Sequence, residues 1–272
     1  MMRGTSQASL TATRKQAEVL LAAAGRDATS IGEQLFSIVD ALDSSGALRR
    51  SLADPSRPAQ DKATLVGDLL GARFDKKTVE IVKILVSQRW SAERDVVDAV
   101  STLGIDAYLS AAESRGVLET VESELFAITR SLSGQREFRK VLSDTTIPTE
   151  RRSQLLVSLI ASRVDEVTLA LANRVAIAPR GRLFVPLLAG ISDMAAERRH
   201  RRVAHVTVSA PLKPEHVARL SGVLASSYGQ AMQMNITVDP HVVGGVRIQV
   251  GSDVIDSTLL ARLTQAQRKL AS

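Results

Sequence analysis

Residues 32–79 read GEQLFSIVDALDSSGALRRSLADPSRPAQDKATLVGDLLGARFDKKTV, and residues 122–169 read ESELFAITRSLSGQREFRKVLSDTTIPTERRSQLLVSLIASRVDEVTL. Offset by 90 positions without a gap, the two stretches agree at thirteen of 48 places. Leu35, Phe36, Ile38 and Leu42 fall on Leu125, Phe126, Ile128 and Leu132, and the match runs on through Arg49/Arg139, Leu52/Leu142 and Asp54/Asp144 to Thr78/Thr168. A self-match at fixed spacing marks a repeated supersecondary unit. Its recurring residues have mechanical meanings. Pro58 and Pro148 can open a helix, where a missing N–H is not needed. Asp75 and Asp165 can cap the next one. Leu65 with Leu69, and Leu155 with Leu159, stand one turn apart and are expected to point into a bundle. Taken singly, each position reads as helix packing only. Together they mean duplication, which doubles a binding or spacing surface and seldom an active site. Residues 91–114 serve as last helix of the first copy and first of the second, since Ala17 aligns with Ala107 at the same offset.

Outside the repeat the apolar spacing divides the chain. Val79, Val82, Leu85 and Val86 recur at three and four, a helical stripe, and such spacing holds over residues 8–200. Beyond residue 202, Ala204, Val206, Val208 and Ala210 alternate with His205, Thr207 and Ser209. Ile236 and Val238, then Val246, Ile248 and Val250, alternate likewise, as strands do. Residues 214–228 form an amphipathic helix opened by a proline, and residues 257–270 another with a basic last turn. The expected fold class is mainly α: a duplicated helical bundle, residues 1–110 and 91–202, followed by a small α+β domain over 203–272.

Composition excludes several classes. Of the 272 residues, 44% are apolar and 24% charged, globular values. There is no cysteine, hence no disulfide, thiolate zinc site or iron–sulfur cluster. The N-terminal stretch has charges at Arg14, Lys15 and Glu18 before any continuous apolar region forms, so no signal peptide is expected. The longest apolar run, 183–194, holds Pro186 and Asp193, so any membrane association is expected to be borrowed from a partner.

Motifs for chemistry are lacking. No G-x-x-x-x-G-K-[ST] or G-x-S-x-G occurs. Gly244, Gly245 and Gly251 lie in strand-like sequence, where a turn and close backbone packing outweigh a phosphate site. His200, His205, His216 and His241 form no i, i+4 pair, so no metal is expected. Asp239 precedes Pro240 as turn aspartates do, and Asp256 can cap the last helix, which outweighs acid/base work by these with Asp253. No catalytic residue and no cofactor is expected.

The net charge of +6 admits an anionic partner. Arg198, Arg199, His200, Arg201 and Arg202 make the densest basic run, with Arg180 and Arg182 milder. Aromatic residues are only 3%, which leaves few stacking platforms for nucleic acid. Asp27, Glu33, Asp40 and Asp43 keep the first helices acidic on one side. A solvated helix end, or a protein partner with carboxylates, is favoured over nucleic acid; a basic helical scaffold or nucleic-acid binder is the competing class.

An ordered set of C-terminal motifs carries a resemblance: V-x-V-S-A-P-L at 206–212, N-x-T-V-D-P at 235–240, G-G-V-R-I at 244–248, V-G-x-x-V-I-D at 250–256 and the closing Arg262-Leu263. These resemble the delta subunit family of the rotary ATP synthase, called the oligomycin-sensitivity-conferring protein in mitochondria. L-R-R-S-L-A-D from Leu48 and F-R-K-V-L-S-D-T-T-I-P from Phe138 are similar to the family's short helix followed by a proline-started one. The partial duplication of the helical module resembles actinobacterial members.

The resemblance implies a non-catalytic stator part on the cytoplasmic face of the plasma membrane. Its helical bundle would hold N-terminal helices of the alpha subunits, and its C-terminal domain the end of the b-type peripheral-stalk subunits. The implied groove lies on residues 10–24 and 75–88, with Leu20, Leu21, Val79, Val82 and Leu85 as candidate contacts. In the second copy it falls on 100–114 and 165–178, with Leu169 and Val175. Sequence leaves both open. Arg198, Arg199, Arg201, Arg202, Arg247 and Arg262 are basic candidates for acidic stalk residues, while Pro58, Pro148, Asp239, Pro240, Gly244, Gly245, Gly251 and Asp256 match family motifs with structural roles.

Overall fold

A computed structural model of the chain describes residues 4–201, 203–228, 232–239, 244–250 and 253–256. It divides into two compact units, 1–194 and 195–272. The helical series is α1 (Thr5–Ala22), α2 (Ala28–Ser44), α3 (Gly46–Ala53), α4 (Ala59–Leu70), α5 (Lys76–Val86), α6 (Glu93–Ser114), α7 (Leu118–Ser133), α8 (Arg136–Ser143), α9 (Thr149–Ile160), α10 (Glu166–Ile177) and α11 (Phe184–Arg201). Moved by 90 residues, α1–α6 fall on α6–α11, so α6 closes the first six-helix set and opens the second.

The same local chemistry builds both sets. Pro58 and Pro148 sit at the N-caps of α4 and α9 with φ −53° and −52°, the value their rings impose. Asp54 and Asp144 tie the preceding turns: each carboxylate accepts from the N–H and hydroxyl of the residue two further on, Ser56 at 2.8 and 2.7 Å, Thr146 at 2.9 and 2.6 Å. Those hydrogen bonds, the hydroxyl's first, hold both carboxyls below the usual range. Asp75 caps α5 by accepting from the Lys77 N–H at 2.8 Å, and Asp165 caps α10 through Val167 N–H at 2.9 Å. Gln34 and Glu124 then accept the N–H of those two aspartates, at 2.8 and 2.9 Å, pinning each cap to the helix 41 residues before it.

The first set's core is formed by Leu21, Leu35, Leu42, Ile81, Leu85, Val96, Val100 and Leu103 with their neighbours. Its tightest seam joins α2 to α6. A Cβ on Gly32 would stand 2.6 Å from the Tyr108 ring, and one on Gly104 2.7 Å from that of Phe36. Only glycine admits this approach, and the two rings stack with centroids 5.7 Å apart. Burial pushes the Tyr108 hydroxyl up to about 12, helped by Glu33 and opposed by Arg174.

Leu69 and Leu159 correct the sequence reading, being 47% and 40% exposed, while Leu65 and Leu155 are half-buried. The inward face of α4 and α9 instead carries Val66 and Leu156 with the stems of Lys62 and Arg152, both buried. The reason is one of phase: Val66 and Leu156 lie one turn after these long side chains, whose aliphatic parts bury as apolar surface. Arg152 donates to the Ala176 and Ile147 carbonyls.

The C-terminal unit holds β1 (Val203–Val208), α12 (Pro214–Tyr228), β2 (Gln233–Val238), β3 (Val246–Val250) and β4 (Asp253–Asp256). The sheet order is β2-β1-β3-β4, with β1 parallel to β2 and antiparallel to β3. Ala204, Val206, Val208, Ile248 and Val250 form its core with Leu224 of α12. Gly244 and Gly245 precede β3 at φ 63° and 84°, the left-handed turn that glycine allows. β4 was not expected as a strand; its four residues are all exposed, so it lacks the alternation that marks one. The helix expected over 257–270 lies outside the described residues. Among the described residues no helix is long and apolar enough to cross a membrane.

Candidate functional site

Between α1, α4 and α5 the first set leaves a cleft of about 370 Å3. Gln16 stands on one wall, Gln60, Ala63 and Thr64 on a second, and Glu80, Lys83, Ile84, Ser87 and Gln88 on the third. The walls are mostly polar, with Ile84 and Ala63 as apolar contacts. Lys77 Nζ donates to the Ala23 carbonyl at 3.0 Å, fastening the start of α5 to the end of α1.

The apolar candidates read from sequence lie elsewhere. Leu21, Val79, Val82 and Leu85 are 1%, 6%, 1% and 0% exposed and belong to the core, so they present no surface to a partner. Leu20 is half-buried against that core. In the second set Val175 is buried and Leu169 half-buried. A stripe at three and four marks the face a helix turns to its own bundle; a groove between two helices is lined from the flank of that stripe. Gln16, Lys83, Ile84 and Gln88 are the residues that reading missed. Ile84, apolar but falling between Val82 and Leu85 and off the stripe they make with Val79, was the available signal.

At the same offset Asp106 replaces Gln16 and Arg174 replaces Ile84, and both engage the first set. Arg14 of α1 donates through Nε and Nη2 to both oxygens of Asp106 at 2.7 Å. Arg174 donates to both oxygens of Asp40 of α2 at 2.8 and 2.7 Å, and its guanidinium lies 4.8 Å over the Phe36 ring, a cation–π contact added to an ion pair. The loop after α10 continues the seam. Arg180 sits between Asp43 and Asp98, 2.9 Å from each, and Arg182 reaches Asp98 at 2.8 Å. Asp40 and Asp43 of the acidic first helices therefore meet arginines of this same chain.

Arg198 is buried, unlike a solvated helix end, Arg199 is half-buried and His200 exposed. Arg247 is exposed on β3, in register with Asp256 on β4, and Asp239 donates its N–H to the Val208 carbonyl at 2.8 Å. Arg202, Pro240, Gly251 and Arg262, and the side chain of Arg201, lie outside the described residues. Among the described residues no group of three His, Asp or Glu could hold a metal ion.

The sequence profile of the family described as ATP synthase delta (OSCP) subunit matches residues 13–103 and 106–270. The chain belongs to that family. Three relatives, each named ATP synthase subunit delta, agree over nearly the full length. That of Beutenbergia cavernae is 44% identical, covering 99% of this chain and all of its own. That of Kineococcus radiotolerans is 40% identical over 98% and 97%, and that of Streptomyces coelicolor 40% over 100% and 99%. A chain of the Toxoplasma gondii mitochondrial ATP synthase hexamer aligns with a TM-score of 0.32 at 19% identity, over 62% of this chain and 95% of that one, too weak a likeness to argue from. The family's two stretches of match divide between residues 103 and 106, inside α6, the helix that the two sets share.

Proposed function

We propose that this chain is the delta subunit of a rotary proton-translocating ATP synthase, a part of the peripheral stalk at the cytoplasmic face of the plasma membrane. It performs no bond chemistry and needs no cofactor. It ties the catalytic head to membrane-anchored b-type subunits, so that rotor torque is resisted and proton flow is coupled to ATP synthesis. The observation that carries this reading is the agreement with delta subunits end to end, over both helical sets and the α+β domain.

Residues 1–110 and 91–202 act as helical copies and 203–272 as the stalk-binding domain. An N-terminal helix of an alpha subunit lies along α1 and α5, in the helix-in-groove mode, with Ile84 and Ala63 as apolar contacts and the glutamines fixing its register. The ion pairs of Arg174, Arg180 and Arg182 with the chain's own aspartates support protein binding over nucleic acid, since those cations are already neutralised.

The native complex, drawn by an affinity tag on this chain from detergent-solubilised membranes, is expected to bring alpha, beta and b subunits. Vesicles lacking the chain are expected to lose coupled phosphorylation. Fully coupled vesicles without it would overturn the reading, and recovery with DNA in their place would favour the basic scaffold.

A further inference from the structure

We infer that the duplication gives one docking groove and not two: Asp106 and Arg174, which would line the groove of the second copy, are already taken by Arg14 of α1 and by Asp40 and Phe36 of α2, and a seam of arginines on aspartates keeps them there. This rests on the reading that the groove of α1 and α5 receives a helix, and it adds that the second copy offers no equivalent site.

The repeat supplies the comparison. In the first copy Gln16 and Ile84 face each other across an open cleft. Their counterparts, Asp106 and Arg174, are spent on the first copy, one on Arg14 and the other on Asp40 and Phe36. Gln16 is exposed where Asp106 is 4% exposed. Closure of the second groove is held by charge against local cost. Asn173 Oδ1, at the position of Lys83, is buried with no hydrogen-bond partner, and Arg180 has φ 50°, a left-handed backbone that L residues avoid. The pairs to Asp40, Asp43 and Asp98 hold Arg174, Arg180 and Arg182 in place. The available groove asks for an amphipathic helix whose buried face mixes small apolar and hydrogen-bonding side chains.

Two measurements decide it. Calorimetric titration with a synthetic alpha N-terminal helix peptide is expected to give one site per chain, and two when the seam is reversed by Asp40→Lys with Asp43→Lys. Two sites on the parent chain, or one site abolished by Ile177→Trp and untouched by Ile84→Trp, overturn the inference. No binding at all counts against the alpha-helix reading itself, and a second arm without ligand then decides closure. The chain has no cysteine, so Ser87→Cys and Ile177→Cys each give a single thiol at equivalent positions. A bulky maleimide is expected to react about ten-fold more slowly at 177 than at 87, the two converging in the charge-reversed background, as protection follows the opening equilibrium. Equal rates in the parent background overturn the inference. Should the double reversal fail to fold, Arg174→Gln serves as the milder release.

Discussion

The two helical sets use the same caps and the same turns, yet a phenylalanine at one repeated position has opposite fates. Phe36 is 6% exposed, stacked on Tyr108 and covered by Arg174, whereas Phe126 is 59% exposed. The devices that stay the same act within a few residues or one helix pair. Those that differ depend on what lies alongside. Phe36 enters the space Gly104 leaves and stacks on Tyr108 of α6, and Arg174 of the second set closes over it. Duplication thus copies local structure faithfully and leaves surfaces to their new surroundings.

The sharpest way to break this comparison is truncation of the two rings. Phe36→Ala is expected to lower the unfolding free energy by about 3–5 kcal/mol, as deletion of a buried ring does, while Phe126→Ala stays within about 0.5 kcal/mol. Denaturant titration of both variants measures it, and similar losses would mean the exposed ring is covered in solution.

Gly104→Ala should cost about 1–3 kcal/mol by overpacking against Phe36. Thermal melts would show the loss; the equivalent Met194→Ala tests whether the close approach belongs to the first set alone.

The caps come next. Asp75→Ala is expected to cost about 1 kcal/mol. Asp165→Ala should cost somewhat more, because that carboxylate also holds Arg115 at 2.7 Å, an extra that half-exposed pairs give in tenths of a kcal/mol to about 1. Equal losses would reduce the Arg115 pair to nothing.

The smallest effect is one of pH. Tyr108 keeps its proton to about pH 12 when folded and to about pH 10 when unfolded. Its contribution is complete below pH 10 and is lost as pH rises through 12, because the unfolded chain ionises first. Unfolding followed between pH 9 and 11 should show a downward slope that Tyr108→Phe removes; an unchanged slope assigns it to other groups.

Much of the fold was legible because its determinants are local. Pro58, Asp75 and Asp165 do what their positions in the repeat suggest, and alternation over 203–208 and 246–250 gave two strands. The site was less legible. Val82 and Leu85 were read as groove because an apolar stripe shows only that a face is buried, and here the bundle itself buries it. Leu69 looked inward for the same reason, although Lys62 and Val66 hold that side. Arg180 and Asp43 are 137 positions apart, and no periodicity links such residues; their opposite charges were visible, their meeting was not. β4 escaped because its exposed residues do not alternate.

The double membership of α6 bears on how this arm of the molecule changes length. A splice that removes residues 93–182 would set α11 directly after α5, in the place α6 now holds, and leave a single set of six helices. Shorter or longer cuts would put every later helix out of phase with its neighbours. Reach in this region is therefore available only in whole steps of ninety residues, and each step must also carry its own glycine, since Met194 would stand where Gly104 now lets Phe36 in.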